Sequence, residues 1–139
     1  MGTPATSGYS GTPLAKKLGY KPFSHTLLIG APADYLAMVQ PLPDEVVFQS
    51  TATRRTDLVH VFVAEREELA EQLSALRKSL KPEASVWVSW PKRSAKIPTN
   101  VTEDVIREVA LPLGFVDIKV CAVSEVWSGL KLVVRKELR

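Results

Sequence analysis

Residues 57–91, DLVHVFVAEREELAEQLSALRKSLKPEASVWVSWP, decide the fold. Residues 58–63 form a continuous apolar run of strand length, as expected for a strand covered on both faces. From Glu65 onward, Leu69, Leu73, Leu76 and Leu80 recur at helical spacing and make one stripe that faces a sheet. Lys81 and Pro82 end that helix, and residues 86–90 return as a second buried strand. A strand, a helix and a strand of this length form a crossover unit, which makes the two strands parallel with a right-handed connection.

The pattern extends upstream. TLLIG at residues 26–30 is the first core strand, and a short helix capped by Asp34 and ended by Pro41 follows it. Residues 45–49 read as a weaker strand. Only residues 50–56 separate it from the strand at 58, too few for a helical crossover, so either a strand and helix of a regular plan are deleted or this strand is irregular or antiparallel. Before the first core strand, Thr12 can cap a helix with Pro13 at its first position and Gly19 as its stop. Residues 1–11 are small, polar and glycine-rich, which suits a flexible arm, and residues 12–139 are expected to form a single domain.

Downstream, the polar segment PKRSAKIPTN runs from residue 91 to 100. Thr102, with Glu103 and Asp104 at the positive end of the dipole, then opens a helix whose buried stripe is Val105, Ile106 and Val109. Pro112 and Gly114 stop it. Residues 116–123 and 130–135 alternate between apolar and polar and, joined by a loop containing Gly129, are expected to pair as an antiparallel hairpin at one sheet edge. The expected fold class is therefore α/β: an open, mostly parallel, three-layer, Rossmann-like sheet with an antiparallel C-terminal hairpin.

Composition narrows the function classes. With 139 residues, 45% hydrophobic and 24% charged, the chain matches one ordinary globular domain. No apolar run approaches a membrane span, and the first residues lack the basic flank and apolar core of a secretory signal, so a cytoplasmic address is expected. The single cysteine, Cys121, closes no internal disulfide and has no partners for a structural zinc site; no metal and no cofactor are expected. A net charge of +3 is too small to signal nucleic-acid binding. One basic cluster stands out, with Arg77, Lys78, Lys81, Lys92, Arg93 and Lys96 against the single acid Glu83.

A parallel sheet that ends in a helix and an antiparallel strand pair resembles the class I S-adenosylmethionine-dependent methyltransferases, and LKPEASVWVSWP is similar to the LKPGG turn and strand many of them carry. The segments GYSGTPLAKKLG, DLVHVFV, VSWPKRSAKIPTNVTEDVIREVALPLG and VCAVSEVWSGLKLVVRKELR also resemble a family of small bacterial proteins known only as a domain of unknown function. The first resemblance implies a cofactor held over a glycine-rich turn after the first strand and by an acid at the tip of the second. Here the turn reads GAPADY, with only Gly30 left, and Gln49, Ser50 and Thr51 stand where the acid belongs. The implied scaffold is thus methyltransferase-like but degenerate.

The loop at residues 90–100 is the first candidate for a functional surface. It leaves the carboxyl end of a core strand, where open α/β sheets bind ligands, and carries Lys92, Arg93, Lys96 and Asn100 beside Trp90. Guanidinium and ammonium groups next to an indole suit an anion with a flat ring, so a nucleotide, a single-stranded nucleic acid or an acidic protein segment would each fit. Gly30 and Tyr35 complete the candidate binding set, with Gln49 and Asp57 as further lining if the ancestral cleft stays open. A second anion site at Gly8, Gly11, Lys16 and Lys17 lacks the spacing of a phosphate loop. His60, inside an apolar strand, reads as a neutral core imidazole, His25 as exposed at a strand entrance, and Cys121 as structural.

These residues favour a non-catalytic binding or interaction module. A small nucleotide-like anion-binding enzyme or sensor is the alternative, and weak nucleic-acid binding through the basic run ranks last. A homodimer through the edge hairpin, aided by an exposed Trp127, is a further expectation.

Overall fold

The computed structural model describes residues 12–139; the arm and the Gly8 and Gly11 site expected from the sequence lie outside the described residues. Helix α1 (Leu14–Leu18) leads into strand β1 (His25–Ile29), α2 (Tyr35–Met38) and β2 (Val47–Gln49). Then come β3 (Leu58–Phe62), α3 (Arg66–Ser79), β4 (Ser85–Pro91), α4 (Glu103–Ala110), β5 (Phe115–Ala122) and β6 (Trp127–Val134). One six-stranded sheet has the order β2-β1-β3-β4-β6-β5.

Strands β2, β1, β3 and β4 are parallel neighbours, while β6 runs antiparallel to both β4 and β5. The second strand is therefore parallel and begins at Val47, because Glu45 occupies a left-handed conformation, φ 60°, that no strand continues through. The link from β2 to β3 is a non-helical crossover. Its turn is held by the Thr56 hydroxyl, which accepts from the Thr53 amide and donates to Gln49 Oε1, and Asp57 N–H donates to the His25 carbonyl at 2.8 Å.

Alternation along each strand divides the interior into two faces. Toward α3 and α4 point Val59, Val61, Val86, Val88, Leu130 and Leu132, which meet Leu69, Leu73, Leu76 and Ile106. Toward α1 and α2 point Leu58, Phe62 and Trp87, which meet Leu18, Tyr20, Tyr35 and Val39. β3, covered on both sides, is buried throughout. The Leu69, Leu73, Leu76 and Leu80 stripe is buried as its spacing requires. On α4 the deepest residues are Ile106 and Ala110, with Val105 and Val109 half-buried, and Thr102 caps the helix by accepting from the Val105 amide. α1 starts one residue later than its sequence suggests, with Pro13 at the cap position.

The hairpin departs from expectation in its turn. Residues 123–126 make it, closed by the Ser124 side chain, which accepts from the amides of Val126 and Trp127 at 3.1 Å each. Gly129 instead lies inside β6, where a Cβ would stand 2.9 Å from Val123 Cγ2 and 3.2 Å from the Trp87 ring. Its bareness serves close packing rather than a turn. No helix among the described residues is long and apolar enough to cross a membrane.

Candidate functional site

The carboxyl ends of β1 and β3 sit beneath the turn at residues 30–34. Gly30 has φ 69°, and a Cβ there would come within 2.8 Å of the Phe62 carbonyl oxygen, so the turn is pressed onto the end of β3. Four residues, Ala31, Pro32, Ala33 and Asp34, then deliver Tyr35 as the first residue of α2, where it is buried, 2% exposed. It stands edge-on to His60 and Phe62, with centroids 5.3 and 5.7 Å away; Phe62 in turn meets Trp127 edge-on at 5.1 Å. Edge-to-face contacts of this kind are a preferred geometry of aromatic pairs.

A chain of hydrogen bonds runs through the same rings. The Tyr20 and Tyr35 hydroxyls lie 2.8 Å apart, Tyr35 Oη is 3.0 Å from His60 Nδ1, and His60 Nε2 is 2.7 Å from Ser89 Oγ. With a neutral imidazole, one ring nitrogen donates and the other accepts, so every link is satisfied without a charge. Burial sets the ionisation. It pushes the His60 imidazole down to about 3 and the Tyr20 phenol up to about 12, and it raises the Tyr35 phenol as well. At neutral pH the whole chain is uncharged. Since His60 and Ser89 have no exposed surface, neither can reach a substrate.

Gln49, at the tip of β2, spends its amide on the crossover: Nε2 donates to Thr53 and Oε1 accepts from Thr56. Asp57 lies at the other end of the sheet from Gly30, before β3 begins. Burial raises its carboxyl, but hydrogen bonds from the His25 amide and Lys81, at 2.8 and 2.6 Å, outweigh that and hold it below the usual carboxylate range. His25 is half-buried beside it. Cys121 is half-buried against the aromatic side of the sheet, where burial raises its thiol and keeps it protonated.

The loop at residues 90–100 divides by role. Trp90 packs half-buried against the aliphatic core, on the opposite side of the sheet from Tyr35. Asn100 is tied to α3: its Oδ1 accepts from the Arg66 amide at 2.6 Å, and its own amide donates to the Ala64 carbonyl. That bond satisfies a free donor of the α3 amino terminus. Lys92, Arg93 and Lys96 make no ion pair with the described residues and stand at the carboxyl end. Arg77, bonded to the Leu113 carbonyl, and Lys81, paired with Asp57, stand at the far end of α3. A 14-residue helix is about 21 Å long, so the basic run of the sequence is split between two ends of the molecule. Trp127 is half-buried under Phe62, not exposed. Sequence reasoning missed Ser89 and Tyr20. A signal existed for Ser89, a polar residue interrupting an apolar strand in register with Phe62.

The model of a family described as protein of unknown function (DUF3052) matches residues 36–136. Among solved structures, the chain is similar to a SAM dependent methyltransferase from Aquifex aeolicus, with TM-score 0.62 and 18% identity over 86% of this chain and 87% of that one. It is also similar to a putative type 11 methyltransferase from Sulfolobus solfataricus, with TM-score 0.56 and 12% identity over 81% and 85%. A third likeness is to the fibrillarin of Aeropyrum pernix in complex with natively bound S-adenosyl-L-methionine, with TM-score 0.57 and 13% identity over 86% and 73%. No curated protein matches the chain. At these identities the likeness is one of fold, and that fold is methyltransferase-like.

Proposed function

The chain belongs to the DUF3052 family, proteins of unknown function with a methyltransferase-like fold, and from that premise we propose that it is a non-catalytic binding module whose cofactor cleft has been converted into core. One observation carries the reading: Tyr35, bonded on both sides to Tyr20 and His60, is buried edge-on to Phe62, the residue whose carbonyl the Gly30 turn is pressed against. The residues present do not fit an adenosyl group. The turn is pressed onto the Phe62 carbonyl, the β2 tip has no acid, and the Gln49 amide that stands there is already engaged. Displacing Tyr35 would strand the Tyr20 hydroxyl and His60 Nδ1 without partners, at about 1–3 kcal/mol for each group left unpaired.

What the scaffold still offers at that end is charge. Lys92, Arg93 and Lys96, without ion pairs among the described residues and beside the exposed Ile97, suit the acidic segment of a protein partner. Calorimetric titration with S-adenosylmethionine tests the loss of the cofactor. No heat of binding is expected up to millimolar ligand, and no methyl transfer to a generic acceptor set. Micromolar binding with turnover would overturn the proposal.

A further inference from the structure

At the end of the sheet opposite Gly30, an open cleft of about 420 Å³ lies between α1 and the amino ends of β1, β3 and β4. Its size is that of a small-molecule site. Lys21, Lys81 and Lys131 contribute three ammonium groups to its wall, against the carboxylates of Asp57 and Glu83. Asp57 is already committed to Lys81 at 2.6 Å and to the His25 amide, and neither Lys21 nor Lys131 makes an ion pair with Glu83 or any other of the described residues. Lys131 also sits directly opposite Lys119 in the β5–β6 register, a like-charge cross-strand pair that costs stability. Lys119 relieves its side of this by donating to the Lys17 carbonyl at 3.1 Å, while Lys131 has no such bond among the described residues. Burial, and then Lys119 and Lys21, push the Lys131 ammonium below the usual range. The rim carries a second costly feature: Phe23 holds φ 66° and is 68% exposed. A bulky residue in that conformation is strained, and an exposed ring recovers little of the cost by burial.

Uncompensated cations and a strained, solvent-facing ring on one cleft share an explanation. We propose that the cleft binds a phosphate monoester carrying a planar ring, with the phosphate between Lys21 and Lys131 and the ring against Phe23. A monoester carries nearly two negative charges at neutral pH, which matches two unpaired ammonium groups better than a single carboxylate does. The site is at the opposite end of the sheet from Lys92, Arg93 and Lys96 and does not depend on the reading of the former cofactor cleft.

Calorimetry and thermal shift with adenosine 5′-monophosphate, inorganic phosphate and adenosine, at low salt, test it. The monophosphate is expected to bind and stabilise, phosphate to do so more weakly, and adenosine not at all. Lys131→Met, which removes the repulsion from Lys119 and so keeps the fold, is expected to weaken the monophosphate about tenfold or more. Arg93→Ala is expected to leave it unchanged. Phe23→Ala should bring the monophosphate down to the affinity of phosphate. Absence of binding at millimolar monophosphate overturns the site, as does binding indifferent to Lys131→Met. Equal affinity for phosphate and monophosphate in the unsubstituted chain overturns the ring contact.

Discussion

On the side of α3 and α4 the sheet presents mainly valines and leucines, with Ile29, Trp90 and Phe115 among them, and no buried side-chain hydrogen-bond chain links the described residues of that layer. The same strands present Leu58, His60, Phe62, Trp87 and Ser89 to α1 and α2, where rings meet at fixed angles and each polar atom of the chain has one designated neighbour. The aliphatic side fills volume; the aromatic side specifies positions. An aliphatic layer tolerates rearrangement as long as volume is kept, whereas a buried hydrogen-bond chain is either complete or costly. The specific side is also the one whose turn carries Gly30, where the methyltransferase resemblance expects a ligand. On the proposed reading, the chain's own residues supply the contacts that a ligand would otherwise make.

Acid separates the two sides most. Because the His60 imidazole is held down to about 3, the unfolded chain binds a proton below pH 6.5 that the folded chain refuses. His60 therefore leaves stability intact above pH 6.5 and erodes it as the pH falls toward 3, by up to about 1.4 kcal/mol per pH unit. Urea unfolding across this range is expected to show that slope and to lose it in His60→Phe. A slope unchanged in the variant would mean the imidazole is not buried neutral. Next in size is truncation. Trp87→Ala removes the largest fully buried ring and its indole bond to the Leu18 carbonyl, at about 4 kcal/mol, against about 3 kcal/mol for Leu73→Ala on the other side. Gly30→Ala follows, at about 2 kcal/mol, because the new methyl meets the Phe62 carbonyl in a left-handed backbone; a neutral effect in denaturant would show that the turn can recede. Smallest and sharpest is a pair of near-isosteric changes. Tyr35→Phe should cost about 1–3 kcal/mol through the unpaired His60 and Tyr20, while Leu73→Met stays below about 1.5 kcal/mol, and equal costs would erase the distinction between the faces.

The sequence was legible where periodicity alone decides the structure. The β3, α3 and β4 unit follows from apolar runs and one leucine stripe, because a strand covered on both sides and a helix packed on one each leave an unbroken local pattern. It was illegible where the deciding contact is distant. Tyr20, Tyr35, His60 and Ser89 are joined link by link across 15, 25 and 29 residues, so only the strand register and the packing of α1 and α2 on the sheet bring them together. The same holds for Asn100, read as a ligand contact but capping α3 from 34 residues away. Gly129 misled for another reason. Glycine usually marks a turn, yet here it marks a strand position crowded by Trp87 and Val123. The cleft at Lys21 and Lys131 left no trace in sequence, since its cations come from a loop and an edge hairpin more than a hundred residues apart.

A crystal grown with saturating S-adenosylhomocysteine tests the central claim most directly. The account predicts no ligand beside Gly30, with the Tyr35 hydroxyl still within hydrogen-bond distance of Tyr20 and His60. An adenosyl group against that turn, with the Tyr35 ring swung out to solvent, would contradict it.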